Sequence, residues 1–322
     1  RVILAEQAAK DDVMAGYTAE RDMGTEGDGS ADTAIRNAIN AGIIPGPRMR
    51  LSGNAIDILG GHEDANKYNP AQHVLSNADY ANDAEQIIEV MREQHKEGSD
   101  FAKIYETGKD KMVPDGHGGL TLKAPYQYTA EQLAAAVKEA KRLGTTVGVH
   151  DMGEPGTLYA AEAGVASIDD ATQLSDGTMS LMKEKGIFAV PTFTIFEYFA
   201  RHRASREQAA AEAELLNYKI AEFKKQLTYG IPFAVGSDVG PFPHGAQARE
   251  LTLMVQYGMK PLAALQADMI NGAKLLGWAN DIGQLKPGFY ADVVAVPGNP
   301  LDDISVCEHV KFVMKGGQIV RQ

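Results

Sequence analysis

The sequence predicts an α/β fold: a (β/α)8 TIM-like barrel over residues 1–277, seven of its strands visible, and a small β appendage over residues 278–322. Three observations lead there. Short apolar runs alternate with helical patterns, as the strand-helix-strand units of a parallel sheet require. Three of those runs end on a residue that can bind a metal or carry a proton, and strand ends of this kind hold the chemistry of barrels and open α/β sheets. After Gly277 the alternation stops and turn-rich sequence takes over.

The chain opens in a helical pattern, Arg1-Val-Ile-Leu-Ala-Glu-Gln-Ala-Ala-Lys10, and the eighth strand is expected to lie ahead of it, outside this sequence. Strands are predicted at Tyr17–Met23, Arg48–Ala55, Phe101–Glu106, Thr146–Asp151, Ala166–Ala171, Ile187–Phe193 and Ile231–Asp238. Helices are predicted at Ala81–Glu97, Thr129–Leu143, Gly156–Ala163, Thr178–Lys185, Ser205–Thr228, Ala246–Gln256 and Pro261–Leu276. Thr129 with Gln132 three residues on is a capping box, and Arg142 followed by Gly144 marks the end of that helix. The long segment Ile56–Asp79, containing Gly60-Gly-His-Glu-Asp-Ala-Asn66, reads as a loop that carries function. Asp115-Gly-His-Gly-Gly119 reads as a mobile, Gly-rich flap holding His117.

Beyond the connector Ile282-Gly-Gln-Leu-Lys-Pro-Gly288, strands are expected at Ala291–Val296 and His309–Met314. Lys315-Gly-Gly-Gln318 forms the hairpin turn and Ile319–Arg321 the return. Three short strands are too few for a stable sheet domain, so partner strands from outside this sequence are expected.

Composition bounds the function. A chain of 322 residues with 44% hydrophobic content can bury one large barrel core or two ordinary ones. Its net charge, 31 − 43 = −12, argues against nucleic acid and anionic membranes as partners, since either needs a basic face. The single Cys307 excludes an internal disulfide framework and Cys-based zinc sites. No apolar run approaches the roughly 20 residues of a membrane span. This composition is compatible with either a cytoplasmic or an exported protein.

Four residues carry the chemical argument. Lys103, in Asp100-Phe-Ala-Lys-Ile-Tyr105, falls inside an apolar strand, where a Lys must be neutralised, bound or paired with an acid such as Glu106. His150 ends Val147-Gly-Val149 and reads equally as a ligand or as a satisfied core residue. Asp170 ends Ala166-Ser-Ile-Asp-Asp170, where a helix N-cap is the ordinary alternative. Asp238 ends Phe233-Ala-Val-Gly-Ser-Asp238 and is followed by Val-Gly-Pro rather than by a helix. At neighbouring strand ends all four would point into one mouth, and Lys, His and two carboxylates can make a metal site. There a metal lowers the pKa of bound water to about 7 and a carboxylate moves the proton. His62 and His244, in loops, are candidates for contacting substrate or a neighbouring loop. Phe193, Phe196, Tyr198 and Phe199 read as a pocket wall or as core. Arg21 and Arg48 read as ion-pair partners, and His73, His95, His202 and His309 as loop or surface residues.

Further motifs run through nearly the whole chain: Ala15-Gly-Tyr-Thr-Ala-Glu-Arg-Asp-Met-Gly24, Ile44-Pro-Gly-Pro-Arg48, Gly60-Gly-His62, Lys103-Ile-Tyr105, Val149-His150, Ala163-Gly-Val-Ala-Ser-Ile-Asp169 and Gly236-Ser-Asp238. Ala273-Lys-Leu-Leu-Gly277 and Ile282-Gly-Gln-Leu-Lys-Pro-Gly-Phe-Tyr-Ala-Asp292 follow. In combination the chain resembles the amidohydrolase superfamily, in its Xaa-Pro dipeptidase and imidazolonepropionase-like branch. The resemblance implies an eight-stranded barrel with a β-sandwich built from both chain ends. It also implies one or two divalent metals, zinc most often, and hydrolysis of an amide or peptide bond in a small-molecule or peptide substrate, with metal-bound water as nucleophile. A homo-oligomer is expected on the same ground.

By that resemblance Lys103 matches a bridging, carboxylated lysine and His150 a fifth-strand ligand. Asp238 matches an eighth-strand acid that binds metal and shuttles the proton, and Tyr105 faces the substrate. The departures are specific. No His-x-His pair is present. Asp170 stands where the family usually has His, which makes it the fourth expected metal residue. Met152 stands where a second His is frequent, and is assigned to the substrate side with Tyr105, His62 and His244. Two alternatives stay open: a lyase- or isomerase-type reaction using a carboxylate base with one metal or none, and a non-catalytic binding protein on the same fold.

Overall fold

The structure is a computed structural model and describes residues 1–64 and 76–322. Ala65 and Asn66 of the predicted functional loop, and His73, lie outside the described residues. The chain divides into two compact units. One comprises Arg1–Glu20, Ile35–Met49 and Val190–Gln322; the other comprises Arg21–Ala34 and Arg50–Ala189.

The second unit is built on the sheet that positions the site. Its strands lie in the order Phe188–Val190, Ser167–Asp170, Val147–Asp151, Ala102–Tyr105, Ala55–Asp57 and Ala78–Tyr80. The pairing is parallel and sets Tyr105 opposite His150, and Asp151 opposite Asp170. Ala102–Tyr105 and Ser167–Asp170 are buried at every position, as strands covered on both faces must be. The expected capping box is present: Thr129 Oγ1 accepts from the Gln132 N–H, and the Gln132 side chain accepts from the Thr129 N–H. Asp83 caps Ala84–Glu97 by accepting from the Gln86 N–H, and Ser175 caps Asp176–Lys185 by accepting from the Thr178 N–H.

Several elements differ from the sequence reading. Ala19–Asp22 and Arg48–Leu51 pair with each other in a two-stranded sheet, while the parallel sheet takes Ala55–Asp57 and Ala78–Tyr80. Both of these strands are three residues long and leave almost no periodicity to read. Ile187–Phe193 shortens to Phe188–Val190, because Pro191 breaks the ladder and a helix begins at Phe193. The Gly-rich flap is a β-hairpin, Lys111–Pro114 with Leu120–Lys123. Its turn is held by Asp115 Oδ1, which accepts from the N–H groups of His117 and Gly119.

In the first unit, Ile231–Asp238 is buried at Ile231, Phe233 and Ala234 but forms no strand; only Phe233 makes a β-bridge. Pro232 has no N–H to donate, and the Phe233 carbonyl accepts from Asn271 Nδ2 at 2.8 Å instead of from a neighbouring strand. The unit's core is an aromatic cluster. Phe193 meets Phe223 and Tyr257 edge-on at 4.9 Å, and Phe223 meets Phe233 at 5.2 Å. Phe193 is therefore core rather than pocket wall.

The C-terminal strands form as expected, at Val293–Ala295, Phe312–Lys315 and Gln318–Arg321, in an antiparallel sheet. Gly316 and Gly317 turn the hairpin with φ of 57° and 83°. A two-residue turn with both residues left-handed matches the twist of the strands it joins. Arg48 Nη1 reaches Asp292 at 2.5 Å and lies over the Tyr290 ring, as expected of an ion-pair partner.

Candidate active site

The register of the parallel sheet brings Lys103, Tyr105, His150 and Asp170 to adjacent strands. His150 Nδ1 donates to Asp170 Oδ2 at 2.5 Å. A proton held on Nδ1 leaves Nε2 as the ring nitrogen free to bind through its lone pair. It is buried and has no hydrogen-bond partner. Asp169 points the other way, as alternation along a strand requires, and accepts from Arg21 Nη2 at 2.5 Å.

His62, expected to contact substrate or a neighbouring loop, packs against the strands that carry Tyr105 and His150. Its ring stacks on Tyr105 at 4.8 Å with the planes 9° apart, and lies 4.4 Å from the His150 ring. Lys103 is buried, with Nζ 5.0 Å from the Tyr105 ring centroid, a cation–π distance. Burial, then the neighbouring His150, push the His62 imidazole down to about 3, against the pull of the Asp170 carboxylate. His62 is thus neutral at ordinary pH. Met152 is fully buried; the Thr172 hydroxyl lies on its sulfur at 3.6 Å and its N–H donates to Thr107 Oγ1.

The backbone at the strand ends is strained. Asp170 and Ala171 have φ of 67° and 37°, Thr192 has 54° and Asp238 has 56°. The left-handed region costs an L-residue roughly 1–2 kcal/mol, so four such residues just past strands or strand-like runs are held there by their surroundings.

Glu106 does not pair with Lys103. Both of its carboxyl oxygens are buried without a hydrogen-bond partner, and Asp151 Oδ2 is in the same condition. Burial and the Asp151 carboxylate push Glu106 up to about 10, which the Tyr128 N–H tempers without reaching hydrogen-bond geometry. Burial also raises Asp151. Glu106→Gln, isosteric and neutral, is expected to raise stability at pH 8 by about 1 kcal/mol or more, read as a higher urea midpoint, because Gln is buried beside Asp151 without the proton uptake that Glu106 needs at that pH. A lower midpoint would count against the acid pair.

Asp238 and His244 belong to the first unit. Asp238 is exposed and follows the buried Ser237. His244 Nδ1 lies 2.8 Å from Asp12 Oδ2, and Asp12 also accepts from the Gly245 N–H and from Gln247 Nε2. Asp57, buried at the end of Ala55–Asp57, has the strand-ending signature of the other candidates, but the sequence-based strand Arg48–Ala55 stops short of it. Gln127, its partner, carries no sequence signal.

His150 Nε2 fits a metal: it is a buried nitrogen lone pair, oriented by a carboxylate on the other ring nitrogen. Among the described residues, no group of three or more His, Cys, Asp or Glu is arranged to hold an ion.

The sequence profile of the amidohydrolase family matches residues 3–320. Ochratoxinase of Aspergillus niger is 30% identical over 329 residues, covering 95% of this chain and 66% of that protein. The chain thus spans about two thirds of that relative's length. Imidazolonepropionase of Geobacillus kaustophilus is 27% identical over 202 residues, covering 60% of this chain and 44% of that protein. Among solved structures, a Xaa-Pro dipeptidase with methionine bound in its active site matches with a TM-score of 0.89 at 32% identity, covering 100% of this chain and 79% of that one. These likenesses bear out the TIM-barrel class and the branch expected from the motifs.

Proposed function

Because the chain belongs to the amidohydrolase family, we propose that it hydrolyses an amide or peptide bond in a small-molecule or peptide substrate, in the manner of a dipeptidase or carboxypeptidase. The observation that carries this reading is the His150–Asp170 pair, with Nε2 buried and turned away from its carboxylate, beside Lys103 and under the His62 and Tyr105 rings. The ochratoxinase and Xaa-Pro dipeptidase likenesses support the same bond class.

His150 Nε2 and Lys103 would hold one or two divalent ions, zinc by resemblance; Asp170 and Asp238 are proposed as further ligands on the resemblance alone. Such an ion would polarise the scissile carbonyl and make water acidic enough to attack near neutral pH. Asp170 keeps His150 in the tautomer that leaves Nε2 available. His62 and Tyr105 offer the substrate a flat, uncharged aromatic surface. Asp238, proposed on the resemblance of Gly236-Ser-Asp238, takes the proton of the attacking water and returns it to the leaving amine.

Zinc-supplemented protein is expected to hydrolyse members of a panel of Xaa-Pro dipeptides and N-acyl amino acids. Asp170→Asn should lower kcat/KM about 10- to 100-fold, together with metal affinity, by loosening His150. Turnover of lactones or carbon acids with none of any amide would replace this reading with carboxylate-base chemistry.

A further inference from the structure

We infer that Asp57 and Gln127 are positioning residues. Together they fix the turn 58–63 so that the His62 ring lies on Tyr105 and against His150, and they act on substrate only through that ring. The inference deepens the function proposed above and rests on it for its kinetic arm.

One carboxylate closes the turn. Asp57 Oδ1 accepts from the Ile58 N–H at 2.8 Å and Oδ2 from the Glu63 N–H at 2.6 Å, so the first and last residues of the turn are tied to the same side chain. A Cβ at Gly61 would lie 2.1 Å from Asp57 Oδ1, so only glycine lets the turn wrap this closely. Gln127 then joins the turn to the neighbouring strand. Its Nε2 donates to Asp57 Oδ1 and to the Tyr105 carbonyl, both at 2.6 Å, and its Oε1 accepts from the His62 N–H at 2.9 Å. These three bonds use both amide hydrogens and the oxygen. A flipped amide would set its NH2 against the His62 N–H, so the network dictates the orientation. The Gln127 N–H also donates to the Glu106 carbonyl at 2.7 Å, anchoring the residue beside the strand that carries Tyr105.

A single side chain therefore holds the backbones of both His62 and Tyr105, whose rings stack near-parallel. Burying an imidazole carries a desolvation cost that an apolar side chain would avoid. Five side-chain hydrogen bonds nevertheless converge to keep this ring against His150. A turn that served packing alone would need no polar ring there.

The test combines histidine 1H–13C NMR with steady-state kinetics on a Xaa-Pro dipeptide that the wild type cleaves. In the wild type, the His62 Cε1–H resonance, assigned by its loss in His62→Gln, is displaced upfield by the stacked Tyr105 ring. Gln127→Met is expected to return it toward the position of an exposed histidine. KM should rise about tenfold while kcat changes less than threefold, because the loss is one of substrate placement. Gln127→Glu, which sets a second carboxylate against Asp57, should do the same. Asp57→Asn, which sets an amide NH2 against one of the N–H donors of the turn, should displace the ring in the same direction. An unmoved His62 resonance in a folded Gln127 variant overturns the inference. So does a fall in kcat at constant KM. If Gln127→Met does not fold, the other two variants decide. If the wild type cleaves no amide, the proposed function fails, and the NMR arm still decides whether Asp57 and Gln127 hold the ring.

Discussion

Glu250→Ala is expected to lower folding stability at pH 8 by about 3–5 kcal/mol, the range for stripping one partner from a buried charged arrangement. Glu250 is fully buried, and its carboxylate does the work of a helix cap from a distance in sequence. It accepts from the N–H groups of Phe193 and Thr194 at 2.8 and 2.7 Å and from Thr194 Oγ1 at 2.7 Å. The N-cap residue Thr192 makes no side-chain cap bond of its own, so these are the donors that the start of Phe193–His202 would otherwise leave unmet. Lys219, also buried, lies over the Phe193 and Phe196 rings and favours the charged carboxylate. A shift of under 1 kcal/mol in urea unfolding would show that the helix start does not depend on this cap.

The pH dependence has a definite sign. Burial raises Glu250 from 4.5 to about 7, against the lowering pull of its hydrogen bonds and Lys219. The folded state therefore holds this proton more tightly than the unfolded chain does. Its contribution is complete below about 4.5, and is lost as pH rises through about 7. Glu250→Gln removes the titrating group, so the difference in stability between wild type and variant should slope across that interval and flatten above it.

Asp238→Asn is expected to reduce kcat by about 10²- to 10⁴-fold, the span of general acid–base contributions. The substitution is clean because Asn tolerates a left-handed backbone as Asp does, and φ at this position is 56°. Circular dichroism and the urea midpoint should stay at wild-type values. Retained amide hydrolysis in a folded Asp238→Asn protein would remove Asp238 from the proton path.

Local chemistry was legible wherever a residue type has one strong physical use. Thr129 and Gln132 announce a capping box three residues apart, and Gly316-Gly317 announces a tight hairpin; the structure has both. Lys103, His150 and Asp170 were legible from their places in apolar runs that a parallel sheet aligns, Tyr105 only from the resemblance; Asp238, read with the first three, does not lie on that sheet. Ile231–Asp238 was misread for the converse reason. Its apolarity reflects burial, but a Pro without an N–H and a side-chain amide on Phe233 replace the ladder that apolarity suggests. Ala78–Tyr80 depends on pairing with Ala55–Asp57, a long-range contact that three residues cannot advertise. Asp57 and Gln127 were hidden more deeply. Their importance lies in whom they bond, and a Gln at the foot of a hairpin has no pattern of its own.

The left-handed residues at Asp170, Ala171, Thr192 and Asp238 mark where selection for stability and selection for activity pull apart. Glycine at Ala171 or Thr192 relaxes the backbone by about 1 kcal/mol, so a heat-based screen favours it. At Ala171 the change also frees the segment that follows Asp170 and with it the carboxylate that steadies His150. Thermal tolerance gained at Ala171 would thus be set against the orientation of the imidazole, a trade between stability and activity.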